Sequence, residues 1–219
     1  DGLPISISIE STQNSNSIAG RKHGIPPVKI LASSPKSVNI SLNKPSVQVK
    51  LSMAPIPGDV RYQTLVRENG TPVASKYNST SGRLEAWITT GGTYTVVENR
   101  KDFTDIQNKP REMQEAIRYL ASKGIINGTS ATEFSPDGSI TRAEVAALIV
   151  RALGKLDPNA DGGFKDVNRS HWYFGAVGSA MRNGIIKGYE DNTFRGEGNI
   201  PKVQIVAISA RTLVSEMNY

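Results

Sequence analysis

Apolar and polar residues alternate with period two in residues 3–9 (LPISISI), 38–42 (VNISL) and 47–51 (VQVKL). A strand with one buried face requires this, since successive side chains point to opposite sides of a sheet. The Asn43-Lys44-Pro45 cluster between the last two marks a turn. Residues 11–24 are polar and broken by glycine, and read as a loop. Further along, residues 60–66 and 71–77 flank Glu68-Asn69-Gly70. Asn-Gly readily takes the positive φ of a type I′ turn, so a hairpin is expected there. Residues 84–88 and 93–97 flank Thr90-Gly91-Gly92, a second hairpin candidate. Six or seven short strands at this spacing predict an all-β, sandwich-like domain over residues 1–100.

After residue 100 the period lengthens to that of a helix. Asn108-Lys109-Pro110 suits a helix entry, because a proline at the first helical position has no N–H to leave unsatisfied. Met113, Ala116, Ile117 and Leu120 share one face, and Gly124 offers the left-handed cap that ends the helix. Thr141-Arg142-Ala143-Glu144 is a capping box, in which the Thr141 hydroxyl accepts from the Glu144 amide and the Glu144 carboxylate reaches back. The helix it opens presents Val145, Leu148, Ile149 and Ala152. Ser170 is placed to cap another, with Ala176, Val177 and Ala180 on its apolar side. Residues 124–144 recur as 184–204, displaced by 60 positions, with Gly124/Gly184, Ile126/Ile186, Gly128/Gly188, Phe134/Phe194 and Ile140/Ile200 in register. Such a fixed period means a repeated supersecondary unit whose apolar face needs a neighbour.

A Phe-x-Asp opens each copy, at Phe103-Thr104-Asp105 and Phe164-Lys165-Asp166. The first copy ends in Ile140-Thr141-Arg142-Ala143-Glu144. The second holds His171-Trp172 and Gly188-Tyr189-Glu190-Asp191-Asn192-Thr193-Phe194-Arg195, and ends in Ile200-Pro201-Lys202-Val203-Gln204. With these motifs in order, the chain from Phe103 onward resembles the S-layer homology (SLH) family. The resemblance implies an all-α pair of helix-loop-helix repeats, over residues 101–156 and, more divergent, 157–219, behind a small β domain of the kind that precedes such repeats in exported proteins. It implies a non-catalytic module of the bacterial cell wall or S-layer, without a cofactor, that binds an acidic secondary cell-wall polysaccharide, commonly a pyruvylated one. The family usually sets three repeats around a pseudo-threefold axis, and two are found here. A third repeat supplied elsewhere is therefore expected, or self-association of a structural surface-protein fragment, which is the alternative function.

Composition narrows the chemistry. The 219-residue chain has no cysteine, so disulfides and thiolate metal sites are excluded. The net charge of +6 lies mostly ahead of Phe103, without a Lys/Arg run interleaved with aromatics, so nucleic acid is not an expected partner. No apolar run approaches the roughly 18 residues of a membrane span. The chain opens at Asp1 without a signal-type segment, as expected of a processed chain or an excised fragment. With two histidines and no G-x-S-x-G, H-E-x-x-H or phosphate loop, no enzyme is expected. A glycosidase carboxylate pair, being a spatial feature, stays open.

Arg142 is the leading candidate residue. The capping box leaves its side chain free, in a first helical turn that favours an anion, and its planar fork matches a carboxylate in two hydrogen bonds. The resemblance makes it the holder of the acidic sugar substituent; the alternative is an ion pair with a nearby Asp or Glu. Lys202, its counterpart, keeps the charge without the fork, and Gln204 stands where the first copy has Glu144. Trp172 reads as a sugar-stacking residue or a wedge between helices. Asp105 and Asp166 read as acceptors for backbone amides or glycan hydroxyls. Gly188 satisfies backbone geometry or, beside Tyr189, turns an amide toward the ligand. His171 has no second ligand at metal spacing. Asp157, Asn159 and Asp161 open a calcium-loop pattern whose twelfth position is Asn168 instead of a bidentate Glu, so a solvated turn is preferred. Trp87 and Tyr94 are read as core aromatics before a carbohydrate platform, and His23 as a solvated loop residue.

Overall fold

Ten strands occupy the first half of the computed structural model, which describes residues 5–9, 16–19, 28–34, 36–42 and 49–217. One sheet runs β2 (Asn16–Ala19), β1 (Ile5–Ile9), β5 (Val49–Met53), β9 (Arg83–Ile88) and β8 (Ser75–Asn78). Within it β1 lies parallel to β5, and the other neighbours are antiparallel. The other sheet runs β3 (Val28–Ser34), β4 (Ser37–Leu42), β10 (Gly92–Glu98), β6 (Gln63–Arg67) and β7 (Pro72–Val73), antiparallel throughout. Period-two alternation delivers one face of each into a shared core. Val49, Leu51, Met53, Leu84, Ala86 and Ile88 come from the first sheet, and Val38, Ile40, Leu65, Tyr94 and Val96 from the second. Tyr94 is thus a core residue, while Trp87 alternates with the buried positions of β9, so the two form no common platform.

Several local expectations change in this setting. The Asn69-Gly70 hairpin forms between β6 and β7, but only Gly70 has positive φ (79°), so the turn is not type I′. Instead Gly70 N donates to Arg67 O (2.8 Å) and Thr71 N donates to Asn69 Oδ1 (3.0 Å). Residues 71–77 divide into β7 and β8, which belong to different sheets. Thr90-Gly91-Gly92 likewise joins β9 to β10 across the two sheets and makes no hairpin. A Cβ on Gly91 would sit 2.9 Å from Ile40 O, which explains the glycine at this crossing. Residues 16–19, expected within a loop, form β2; His23 lies outside the described residues.

The chain divides into two compact units, Asp1–Pro136 and Asp137–Tyr219. The first contains both sheets, a 3-10 turn at Thr104–Ile106 and helix α1 (Arg111–Ser122). Pro110 sits just before α1, in the cap position. Ile117 and Ala121 pack with Phe103 and Ile106, whereas Met113 and Ala116 of the expected face are exposed. Polar contacts tie α1 to the strands: Tyr62 Oη donates to Glu115 Oε2 (2.8 Å), Asn99 Nδ2 to Ser122 O (2.8 Å), and Lys123 Nζ to Gln63 O.

In the second unit, α2 (Arg142–Ala152), α3 (Phe174–Arg182) and α4 (Lys202–Met217) surround one core. Ala143, Ala146 and Val150 of α2, Ala176, Val177 and Ala180 of α3, and Ile185, Phe194 and Ile208 belong to it. The capping box at Thr141 and Glu144 forms in full. Ser170 does not cap α3, which begins four residues later; its N and Oγ both donate to Asn168 Oδ1.

The expected architecture of an all-β domain followed by an all-α pair of repeats is therefore corrected. Against ten strands in two sheets the described residues hold only four α-helices. The first of these, α1, belongs to the same compact unit as the sheets, because Tyr62, Gln63 and Asn99 hold it there. Among the described residues there is no separate all-α pair of repeats. Among the described residues no helix is long and apolar enough to cross a membrane.

Candidate functional site

Arg142 is the first residue of α2, and its surroundings come from three separate parts of the second unit. Its backbone N donates to Gly198 O (3.0 Å) and the next amide, Ala143 N, to Gly196 O (2.9 Å). Arg142 Nη2 donates to Lys187 O (2.5 Å) in the loop after Ile185-Ile186, and Nη1 to Gln204 Oε1 (2.7 Å) on α4. The guanidinium lies 5.2 Å from the Tyr189 ring centroid and 4.8 Å from that of Phe194. Gln204 Nε2 in turn donates to Tyr189 Oη (3.1 Å), which fixes the amide's orientation. Arg142 is only 8% exposed, and its Nε is buried without a hydrogen-bond partner.

Two acceptors and two ring faces are all neutral, and among the described residues no carboxylate forms an ion pair with Arg142. The anticipated alternative of an internal Asp or Glu partner is not realised. Nor is the side chain left free, because it is largely enclosed. Burial draws the Arg142 pKa down from its ordinary value, with Tyr189 opposing. The charge deficit has a sequence cause: Gln204 occupies the position equivalent to Glu144.

Among the other candidates, Tyr189 joins Arg142 directly. Gly188 is a packing glycine, since a Cβ there would collide with the Phe164 ring, as one on Gly128 would with Phe103. Asp166 accepts from Phe194 N and Arg195 N (both 2.7 Å), shaping the loop that carries Phe194. Asp105 does the same in the first unit, accepting from Phe134 N (3.0 Å) and Ser135 N (2.6 Å). Those amides hold its pKa down. Trp172 is 58% exposed and meets Tyr173 edge-on at 5.3 Å. Tyr173 packs against Gly196, and its phenol is pushed up to about 12 by burial and a hydrogen bond with Glu197. The rings beside the Arg142 guanidinium are those of Tyr189 and Phe194, and the ring contact of Trp172 is with Tyr173. Lys202 opens α4, and its side chain lies outside the described residues.

Asp157 and Asp161 are occupied locally. Asp157 Oδ1 accepts from Asn159 N (2.9 Å) and Asp161 Oδ1 from Gly163 N (2.8 Å), and Arg182 lies 3.5 Å from Asp157 Oδ2. Among the described residues no group of three or more His, Cys, Asp or Glu is placed to hold a metal ion. Nothing in the sequence marks Lys187 or Phe194 as neighbours of Arg142. Only the offset of 60 that aligns Gln204 with Glu144 signalled a missing charge.

Residues 102–146 and 163–200 match the model of the S-layer homology domain. The chain carries two SLH repeats. It is 33% identical over 178 residues to an amylopullulanase of Thermoanaerobacterium thermosulfurigenes, a match covering 80% of this chain and 9% of the relative. It is 35% identical over 103 residues to a cellulosome-anchoring protein of Acetivibrio thermocellus, covering 45% of this chain and 23% of that protein. A surface layer protein of Brevibacillus choshinensis is 30% identical over 118 residues, covering 52% of this chain and 10% of its own length. The chain thus spans less than a quarter of each of these relatives. SLH domains are non-catalytic and bind cell-wall polysaccharide; the 178-residue match to the amylopullulanase extends beyond the two repeats into the strand-bearing part of the chain. This SLH-bearing chain is accordingly a module of the bacterial cell surface.

Proposed function

We propose that this chain is a non-catalytic anchoring module that binds an acidic, pyruvylated secondary cell-wall polysaccharide. The observation that carries the proposal is the enclosed Arg142 guanidinium, which has neutral acceptors, an unsatisfied Nε and no carboxylate partner among the described residues. A buried cation held by neutral groups gains from an incoming carboxylate, because the pair forms in surroundings of low dielectric. In this reading Arg142 supplies the counter-charge, with Tyr189 beside it. Lys202 adds a second positive charge and Trp172 an exposed ring for stacking on a sugar. Asp166 and Gly188 shape the loop that carries Tyr189 and Phe194, and Asp105 plays the equivalent part within the first unit.

The test is retention of the protein on purified cell-wall polysaccharide, before and after mild acid removal of its ketal groups. Arg142→Lys and Arg142→Met should lower retention by about tenfold or more, and ketal removal should have a similar effect. Unchanged retention in both variants, confirmed folded by circular dichroism, would remove Arg142 from the mechanism. Unchanged retention on the stripped polymer would remove the pyruvate specificity.

A second reading, self-association of an incomplete repeat set, is favoured by one comparison within the chain. Ala143 and Ala146 on α2 are 1% and 0% exposed, whereas Val203 and Val206, 60 positions later on α4, are 73% and 67% exposed. The face that α2 buries is apolar on α4 as well, and open. A second copy of the chain would cover it.

A further inference from the structure

The first unit contains an open cleft of about 360 Å³ beside α1, lined by Arg61, Tyr62, Arg111, Glu115, Ala116 and Tyr119. That volume lies at the small end of the ~300–1,000 Å³ range of small-molecule sites. The carboxylates around it are already engaged. Asp59 accepts from Arg61 Nε (3.0 Å) and Nη2 (2.6 Å), and Asp102 from Arg100 Nε (3.2 Å) and Arg118 Nε (2.9 Å). Glu115 Oε2 takes the Tyr62 phenol, whose ring lies beneath the guanidinium groups of Arg61 and Arg100 at 5.4 and 5.0 Å. The Arg111 guanidinium, by contrast, makes no hydrogen bond or ion pair with the other described residues; the Glu115 carboxyl is held down chiefly by the Tyr62 hydrogen bond, with the charges of Arg118, Arg61 and Arg111 adding to it. The cleft therefore has one guanidinium in excess, together with two features that a bare anion would not use. Glu115 Oε1 stands 3.7 Å from Arg118, beyond hydrogen-bond reach, and remains an acceptor. Tyr119 is 37% exposed and offers an aromatic wall.

A small inorganic anion would leave most of this volume unfilled and would be repelled by Glu115. A polyhydroxylated ring with one carboxylate answers every group: the carboxylate meets the planar fork of Arg111, a hydroxyl donates to Glu115, and the C–H face of the ring lies against Tyr119. We propose that the cleft beside α1 is a second saccharide site, selective for a sugar bearing a carboxylate, of the uronic acid type. It is built from a different unit than Arg142 and does not rest on the function assigned to that residue.

Backbone NMR of the whole chain titrated with glucuronate, glucose and inorganic phosphate tests this. Glucuronate should produce saturable shifts at residues 61–62 and 111–119, and glucose much weaker ones. Arg111→Gln, an exposed substitution that spares the core, should weaken glucuronate binding about tenfold, and Tyr119→Ala should also weaken it. Arg142→Met should leave these shifts unchanged. Absence of saturable shifts, or an equal response in Arg111→Gln, would overturn the proposal. Phosphate acting as strongly as glucuronate at the same residues would also overturn it, leaving a simple anion site.

Discussion

Lys123 and Arg142 are both buried cations with neutral partners, yet they respond differently because only a lysine can shed its proton near neutral pH. Lys123 is 1% exposed, donates to the Gln63 carbonyl and lies 5.2 Å over the Tyr119 ring. Burial pulls its amine down to about 8, with only the charge of Asp59 opposing. Above that value the unfolded chain still holds a proton that the folded chain has released, so stability rises with pH. Below it both states are charged, and the folded state bears the whole cost of burial. Denaturant unfolding should therefore show the wild type gaining stability from about pH 8 to 10 relative to Lys123→Met, in which this gain is absent. A shift of this size corresponds to roughly 3 kcal/mol over the full interval between the folded and unfolded values. A constant difference between the two proteins across that range would mean that Lys123 stays protonated in the fold.

At the scale of the element, α2 shows what a local signal can specify. Thr141 Oγ1 accepts from Glu144 N (3.2 Å) and Glu144 Oε2 accepts from Thr141 N (2.7 Å), so two orphan amides at the helix start are satisfied by residues three apart. Thr141→Ala should cost about 1 kcal/mol in urea unfolding, with the helix content of the native baseline unchanged. The start of α2 was legible in the sequence for this reason. The strand partners were not. Thr90-Gly91-Gly92 has the same composition whether it joins neighbours or crosses between sheets, and the parallel pairing of β1 with β5 depends on residues more than 40 positions apart. The buried face of α1 is turned from the one its apolar spacing suggests, because the spacing does not say which neighbours the helix meets. The direction of that face is set by Phe103 and Ile106, which draw in Ile117 and Ala121 and leave Met113 outside. In the candidate site, the freedom of Arg142 from the cap was legible. Its enclosure was not, since Lys187 and Gln204 stand 45 and 62 positions away.

At the scale of the molecule, the open apolar positions of α4 predict association. Sedimentation should show a concentration-dependent rise in mass, and Val203→Lys combined with Val206→Lys should return a monomer at every concentration. A wild type that stays monomeric at the highest concentration would remove the self-association reading. The boundary after Pro136 has a practical consequence as well. It falls inside the first repeat, while α1 is pinned to the β6 region through Glu115, Ser122 and Lys123. Anyone trimming this protein to a minimal tag by cutting just ahead of Phe103 would unroof that helix, baring a lysine amine and a carboxylate that had lost their partners. A graft meant to tether cargo to a wall should keep the strands.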